Sequence, residues 1–153
     1  MRYCSILDKI QTNKVDSIKD YISKQLPGRQ DILTVIHSII TDKDKTITAT
    51  IESMMGKEMI MYKAKGMMKY ALSSVKNYMS LHCLPIYMNS PLHAKYQALL
   101  PCASFQKGCI NFKNDTEMPL DVTRQLITDC APIDLVAIRE KYLSDRKKSK
   151  AGK

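Results

Sequence analysis

The sequence predicts an all-α fold, a single compact multi-helix domain of about seven or eight short-to-medium helices. Residues 57–83 contain no proline, and their apolar side chains recur with the period of a helix. Shorter stripes of the same period lie on both sides of this segment. A chain of 153 residues has the usual length of one domain, and its 44% hydrophobic content is typical of a folded protein.

The segment 57–83 is expected to be the central helix, because it separates into an apolar side and a basic side. At about 100° per residue, Lys65, Lys69 and Lys76 fall close together opposite the apolar side, where Glu58 and Tyr62 join them. The apolar side contains Ile60, Ala64, Met67, Met68, Ala71, Val75, Tyr78, Met79 and His82. We expect the apolar side to pack in the core and the basic side to face solvent.

The residues before the central helix predict a series of shorter helices. Apolar stripes indicate helices over 2–11, 15–26 and 31–40, and Pro27-Gly28 should end the second of these. Residues 46–55 continue at helical spacing, although the β-branched threonines leave a strand over 46–51 as the alternative.

After Cys83 the periodicity is lost, and we expect an irregular segment that contains proline, glycine and cysteine over 83–118. Ser90-Pro91 should begin one short helix inside it. Pro119 and Pro132 should each open a further helix. The helical domain is then expected to cover 1–145, and residues 146–153, which have nothing apolar to bury, to form a flexible basic tail.

Composition predicts an intracellular protein, cytoplasmic or nuclear and not secreted. No run of 18 apolar residues suggests a transmembrane segment, and charges interrupt the N-terminal stretch where a secretory signal needs apolar residues. Five cysteines, an odd number, suggest free thiols in a reducing compartment. Many lysines and isoleucines and few glycines are typical of AT-rich coding, such as that of a virus.

One metal site can be drawn from the sequence. Cys83, His93, Cys102 and Cys109, with His82 and Cys130 as further donors, are zinc-ligand types, but their spacing matches no short zinc-binding pattern. The alternative is that these cysteines are small buried apolar residues and the histidines lie at the surface. We therefore expect no cofactor, with zinc as the exception to test.

No motif indicates an enzyme. The chain has no glycine-rich phosphate loop. Cys83 and His82 are adjacent in sequence, so on a helix they would point about 100° apart and could not form a catalytic dyad.

The distribution of positive charge is the functional signal. The net charge of +9 includes a local excess over 51–113, where lysines are interleaved with aromatic residues. This mixture suits phosphate neutralisation and base stacking. The residues expected to bind are Lys57, Lys63, Lys65, Lys69, Lys76, Lys95, Lys107, Lys113 and Tyr62, joined by Arg146, Lys147, Lys148 and Lys150.

We therefore predict a non-enzymatic nucleic-acid-binding protein, with RNA or single strands favoured and binding largely independent of sequence. The alternative is a helical adaptor or assembly protein whose basic face meets an acidic protein or an anionic membrane surface. The sequence leaves the oligomeric state open.

Overall fold

A six-stranded antiparallel sheet forms the centre of the protein, in a computed structural model that describes residues 17–152. The all-α prediction is therefore wrong, and the fold is mixed α and β. The strand order is β1-β2-β3-β4-β6-β5. The strands are β1 (Thr48–Met54), β2 (Lys57–Ala64), β3 (Met67–Ser74), β4 (Met79–Cys83), β5 (Ser104–Gln106) and β6 (Cys109–Phe112).

Two tight turns replace the expected central helix by β-hairpins. Met55 and Gly56 (φ 53° and 75°) join β1 to β2, and Lys65 and Gly66 (φ 51° and 77°) join β2 to β3. Consecutive positive φ angles define the type I′ turn, whose twist matches that of antiparallel strands. Glycine takes the second position of each turn without steric cost. The strand alternative for 46–51 is confirmed in part by β1.

Helices cover the flanking segments. The structure describes α1 over residues 17–23, and the remaining helices are α2 (Pro27–Lys43), α3 (Leu84–Tyr87), α4 (Ser90–Leu99), α5 (Leu120–Cys130) and α6 (Leu135–Ala151). The predicted starts near Ser90-Pro91 and after Pro119 are confirmed. The helix expected over 2–11 lies outside the described residues.

The expected irregular segment over 83–118 is mostly regular. It contains α3, α4 and the β5–β6 hairpin. Tyr96 of α4 and Ile110 of β6 are fully buried. The prediction failed here because each of these elements is too short to show a period in the sequence.

The two faces of the sheet bury different side chains. On one face Ile60, Tyr62, Tyr70, Leu72 and Leu81 join the main core with residues of α1, α2 and α5. The opposite face carries a smaller cluster, formed by Met59, Met61 and Ala71 with Met54 and Met68 packed against it. Full burial of such a side chain contributes about 1.5–3 kcal/mol to stability.

A buried ion pair connects the sheet to two helices. Lys69 Nζ lies 2.8 Å from Asp44 Oδ2 and donates to the carbonyl oxygen of Ala131 at 2.8 Å. Tyr70 Oη and the Thr46 backbone N–H also donate to the Asp44 carboxylate. Burial raises the pKa of Asp44, but the Lys69, Thr46 and Tyr70 donors outweigh it, so the pKa lies below its ordinary value.

α6 leaves the domain after its first turn. Asp134 caps it by accepting a hydrogen bond from the Ala137 N–H at 3.0 Å, and Leu135 is its one buried residue. Every side chain from Ala137 to Gly152 is exposed. α6 includes residues 146–151. The expected domain over 1–145 and the expected flexible basic tail over 146–153 stay predictions. Over residues 17–152, no helix combines the length and the apolar character needed to cross a bilayer.

Candidate nucleic-acid interface

Half of the eight lysines predicted within 51–113 are paired with carboxylates. These partners lie far away in the sequence or on a neighbouring strand, so the local excess of positive charge is smaller than the sequence indicates. The lysines hold the pKa of Glu52, Asp129 and Asp134 below its ordinary value. The pairs are Lys63–Glu52 (2.8 Å), Lys65–Asp134 (2.5 Å), Lys69–Asp44 (2.8 Å) and Lys95–Asp129 (2.7 Å).

Two predicted binding residues are buried, so the expectation that they face solvent is wrong for both. Lys69 is 2% exposed and Tyr62 is 0% exposed. Because the Tyr62 side chain is fully buried, its ring has no free face for stacking on a base. Its Oη lies 2.9 Å from His37 Nδ1. The sequence placed these residues on the outer side of a helix. In the structure Tyr62 lies on the core face of β2. A β-bulge at Tyr62/Lys63 leaves Lys69 without a cross-strand partner in β2, and the Lys69 side chain turns inward to Asp44.

The four other predicted lysines of the sheet region form no ion pair within residues 17–152, and they lie at opposite ends of the sheet. Lys57, Lys76 and Lys113 occupy one end, next to the β1–β2 turn, in the β3–β4 turn and after β6. Lys107 lies in the β5–β6 turn at the other end. The structure therefore does not bring these lysines into one patch.

Arg29 is a cation that sequence analysis missed. From the first turn of α2 its guanidinium donates to Ser74 Oγ at 2.9 Å and to the Val75, Lys76 and Tyr78 carbonyl oxygens. Arg29 thus fixes the β3–β4 turn that presents Lys76. Nothing in the sequence near Pro27-Gly28 signals this contact, because its partners lie more than forty positions away.

Among the described residues, α6 from Arg139 onward carries the densest group of exposed cations. Arg139, Arg146 and Lys150 lie within about 40° of one another at 100° per residue, and Lys147 lies next to them. Tyr142 flanks this group, with the Arg146 guanidinium carbon 5.8 Å from its ring centroid. None of these cations forms an ion pair with another described residue. We call Arg139, Arg146, Lys147 and Lys150 the α6 basic surface, whereas Lys148, about 160–180° from Arg139, Arg146 and Lys150 on the same wheel, lies on the opposite side of the helix.

The predicted metal ligands do not converge. Cys109 Sγ lies 2.9 Å from His82 Nδ1, and Cys83 Sγ lies 3.7 Å from Cys130 Sγ. His93 Nε2 is 3.0 Å from the Lys107 carbonyl oxygen, and Cys102 is exposed. In the described part of the chain, no group of three or more histidine, cysteine or acidic side chains is arranged to hold a metal ion.

Comparison with known proteins gives no match: no family model fits the chain, and neither curated proteins nor solved structures are significantly similar to it.

Proposed function

We propose that this protein binds nucleic acid inside the cell without sequence specificity, with RNA or single strands favoured, and that the α6 basic surface makes the main phosphate contacts. The observation that carries the proposal is a projecting helix whose cations are exposed and unpaired among the described residues. Lysine and arginine in this arrangement displace counterions from a phosphate backbone. Tyr142 adds an exposed ring on which an unpaired base can stack.

The projecting part of α6 has solvent on all sides, so packing against the domain core adds little to its stability. Helices of this length are marginal in isolation, and their stability comes mainly from packing. The face at Arg139 and Lys150 spans about 17 Å at 1.5 Å per residue, long enough to contact several successive phosphates. Binding would therefore also stabilise the helix.

The test is the affinity for a fluorescent 20-nucleotide RNA, measured by anisotropy between 50 and 200 mM salt, with matched DNA and duplexes beside it. If four phosphates of a single strand are contacted, the logarithmic slope is about −0.7 per phosphate, and the affinity falls roughly fifty-fold over this range. Absence of RNA binding at 50 mM salt would rule out the proposal.

A pair of variants with equal charge separates a specific surface from general attraction. Changing Arg139, Arg146, Lys147 and Lys150 to Gln should reduce the affinity strongly and flatten the salt slope. Changing Lys57, Lys76, Lys107 and Lys113 to Gln removes the same charge from the sheet ends and should leave most of the affinity. Equal losses in the two variants would contradict the assignment to α6.

The adaptor alternative is favoured by one observation on the same helix. Ile138, Tyr142 and Leu143 are 37%, 58% and 45% exposed. Apolar side chains on a projecting helix suit a groove in a partner protein. Such a complex would depend less steeply on salt than a phosphate complex, and Ile138→Ser with Leu143→Ser would weaken it without changing the net charge.

A further inference from the structure

His82 and Cys109 form a thiol–imidazole pair far from the α6 basic surface in the sequence. They are directly opposed residues of the neighbouring strands β4 and β6, and Cys109 Sγ lies 2.9 Å from His82 Nδ1. Both side chains are partly exposed. Sequence analysis considered only the adjacent Cys83 as a partner of His82, whereas the cross-strand register selects Cys109.

The pair opens into a cavity of about 230 Å³ at the end of β4. Met68, Leu84 and Tyr87 provide apolar walls, and among the described residues that line the cavity Lys107 is the one whose side chain carries a charge. Most ligand pockets have volumes of about 300–1,000 Å³, so this cavity can hold a small molecule or one end of a larger one. The close approach of Gly108 to Tyr87 shapes it, since a Cβ at Gly108 would lie 2.9 Å from Tyr87 Cβ.

Burial keeps the pair neutral at rest. It raises the pKa of the Cys109 thiol and lowers the pKa of the His82 imidazole. In the tautomer that carries the ring proton on Nε2, the thiol S–H donates to Nδ1. An unprotonated imidazole in contact with a thiol is positioned to accept its proton when an electrophile arrives.

We propose that Cys109 is a thiol–disulfide exchange site for small anionic disulfides of the glutathione type, with His82 as the proton acceptor. The Cys109 proton moves to His82 Nδ1, and the thiolate attacks one sulfur of the disulfide. A new S–S bond joins Cys109 to that sulfur while the old S–S bond breaks. The leaving thiolate then takes the proton from the imidazolium, so the products are the protein mixed disulfide and one free thiol.

None of the other described cysteines is both accessible and in contact with a histidine. Cys83 and Cys130 are fully buried in contact with each other. Cys102 is exposed but makes no hydrogen bond to a histidine in the described structure. The preference for an anionic disulfide is based on Lys107, because no carboxylate of residues 17–152 lines the cavity to offset its charge.

The experiment measures mixed-disulfide formation at each cysteine by mass spectrometry after treatment with oxidised glutathione at pH 7. Trypsin separates the two relevant thiols, because Cys102 falls in the peptide 96–107 and Cys109 in the peptide 108–113. We expect Cys109 to react at least tenfold faster than Cys102 in the native protein. In concentrated urea this advantage should disappear.

Variants assign the roles. His82→Gln should remove the advantage of Cys109. His37→Gln should keep it, because His37 contacts Tyr62 Oη and no thiol of the described residues. Dithiodipropionate, an anionic disulfide, should react faster at Cys109 than cystamine, a cationic disulfide of similar size. Lys107→Gln should reduce this preference, and because this variant loses the cleavage site between the two cysteines, the modified residue is located by fragmentation of the peptide 96–113. The inference is overturned if native Cys109 reacts no faster than Cys102, or if a folded His82→Gln protein reacts like the unchanged protein. The comparison in the unchanged protein decides the matter even if a variant does not fold.

Discussion

Removal of the Lys69 ammonium should cost this protein a large part of its stability. The side chains of Lys69 and Asp44 are 3% and 0% exposed, so Lys69→Met would leave a carboxylate buried without its counter-charge. Breaking a buried pair from one side costs about 3–5 kcal/mol. Methionine keeps most of the aliphatic length, so the loss reports the missing charge and not a cavity.

The carboxylate itself provides the control. Asp44→Asn with Lys69→Met removes both charges and should destabilise the protein by less than Lys69→Met alone, since a neutral side chain is tolerated where an unpaired ion is not. When Asp44→Asn is also measured alone, the loss of stability in the double variant minus the sum of the two single losses gives the coupling energy of the two residues.

Urea unfolding followed by circular dichroism gives the free energy of each variant. For a chain of this size 1 kcal/mol corresponds to about 2–4 °C in Tm, so Lys69→Met should melt roughly 6–20 °C lower. The lowered pKa of Asp44 adds a pH signature. Its contribution to stability is present above the unfolded pKa of about 3.9 and is lost as the pH falls through the lower folded value.

That acid-dependent contribution should shrink in Lys69→Met. A loss below about 1 kcal/mol would refute the argument, because an exposed pair would behave in that way. Folded Lys69→Met should bind RNA like the unchanged protein. A selective loss of affinity would mean that Lys69 reaches the ligand after all.

Two further outcomes are expected. Gly108→Ala should destabilise the protein by about 1–3 kcal/mol, because its Cβ would lie 2.9 Å from Tyr87 Cβ and 3.2 Å from the Cys83 carbonyl oxygen. Gly28→Ala is the control, since a Cβ at Gly28 meets nothing within 4 Å. The urea midpoints of the two variants are compared, and equal effects would contradict the packing argument. Burial lowers the pKa of His37, so the unfolded chain takes up its proton first and the stability due to this residue is lost as the pH falls below about 6.5. His37→Gln should therefore reduce the change in urea midpoint between pH 7 and pH 5, and an unchanged difference would contradict the assignment.

The central segment was misread because its strands are buried on both faces. A strand with one wet face alternates between apolar and polar residues, but the run Met59–Tyr62 is buried at all four positions and shows no period of two. When apolar residues are this frequent in a segment, some of them fall on one side of a helical wheel by chance. Gly56 and Gly66, ten residues apart, were the available signal, since each ends a two-residue turn between apolar runs.

Elements outside the sheet were easier to predict. Pro119 and Ser90-Pro91 mark helix starts whose local chemistry is sufficient to define them. The candidate sites depended on long-range register. Sequence analysis named Arg146, Lys147, Lys148 and Lys150, although not as part of a helix. It did not find Arg139, the bulge that buries Lys69 or the register that opposes His82 to Cys109.

The strand order has a consequence for folding. β1 to β4 pair as successive neighbours, and the β1–β2 and β2–β3 connections are two-residue turns, so the chain closes only short loops to form this part of the sheet. β6 must return to β4 after residues 84–108, which carries a larger loop-closure entropy. We expect the hairpins of β1 to β4 to be formed in the folding transition state, with β5 and β6 docking later. The Cys109–His82 contact would then assemble among the last, and it would be among the first lost when the native protein opens locally.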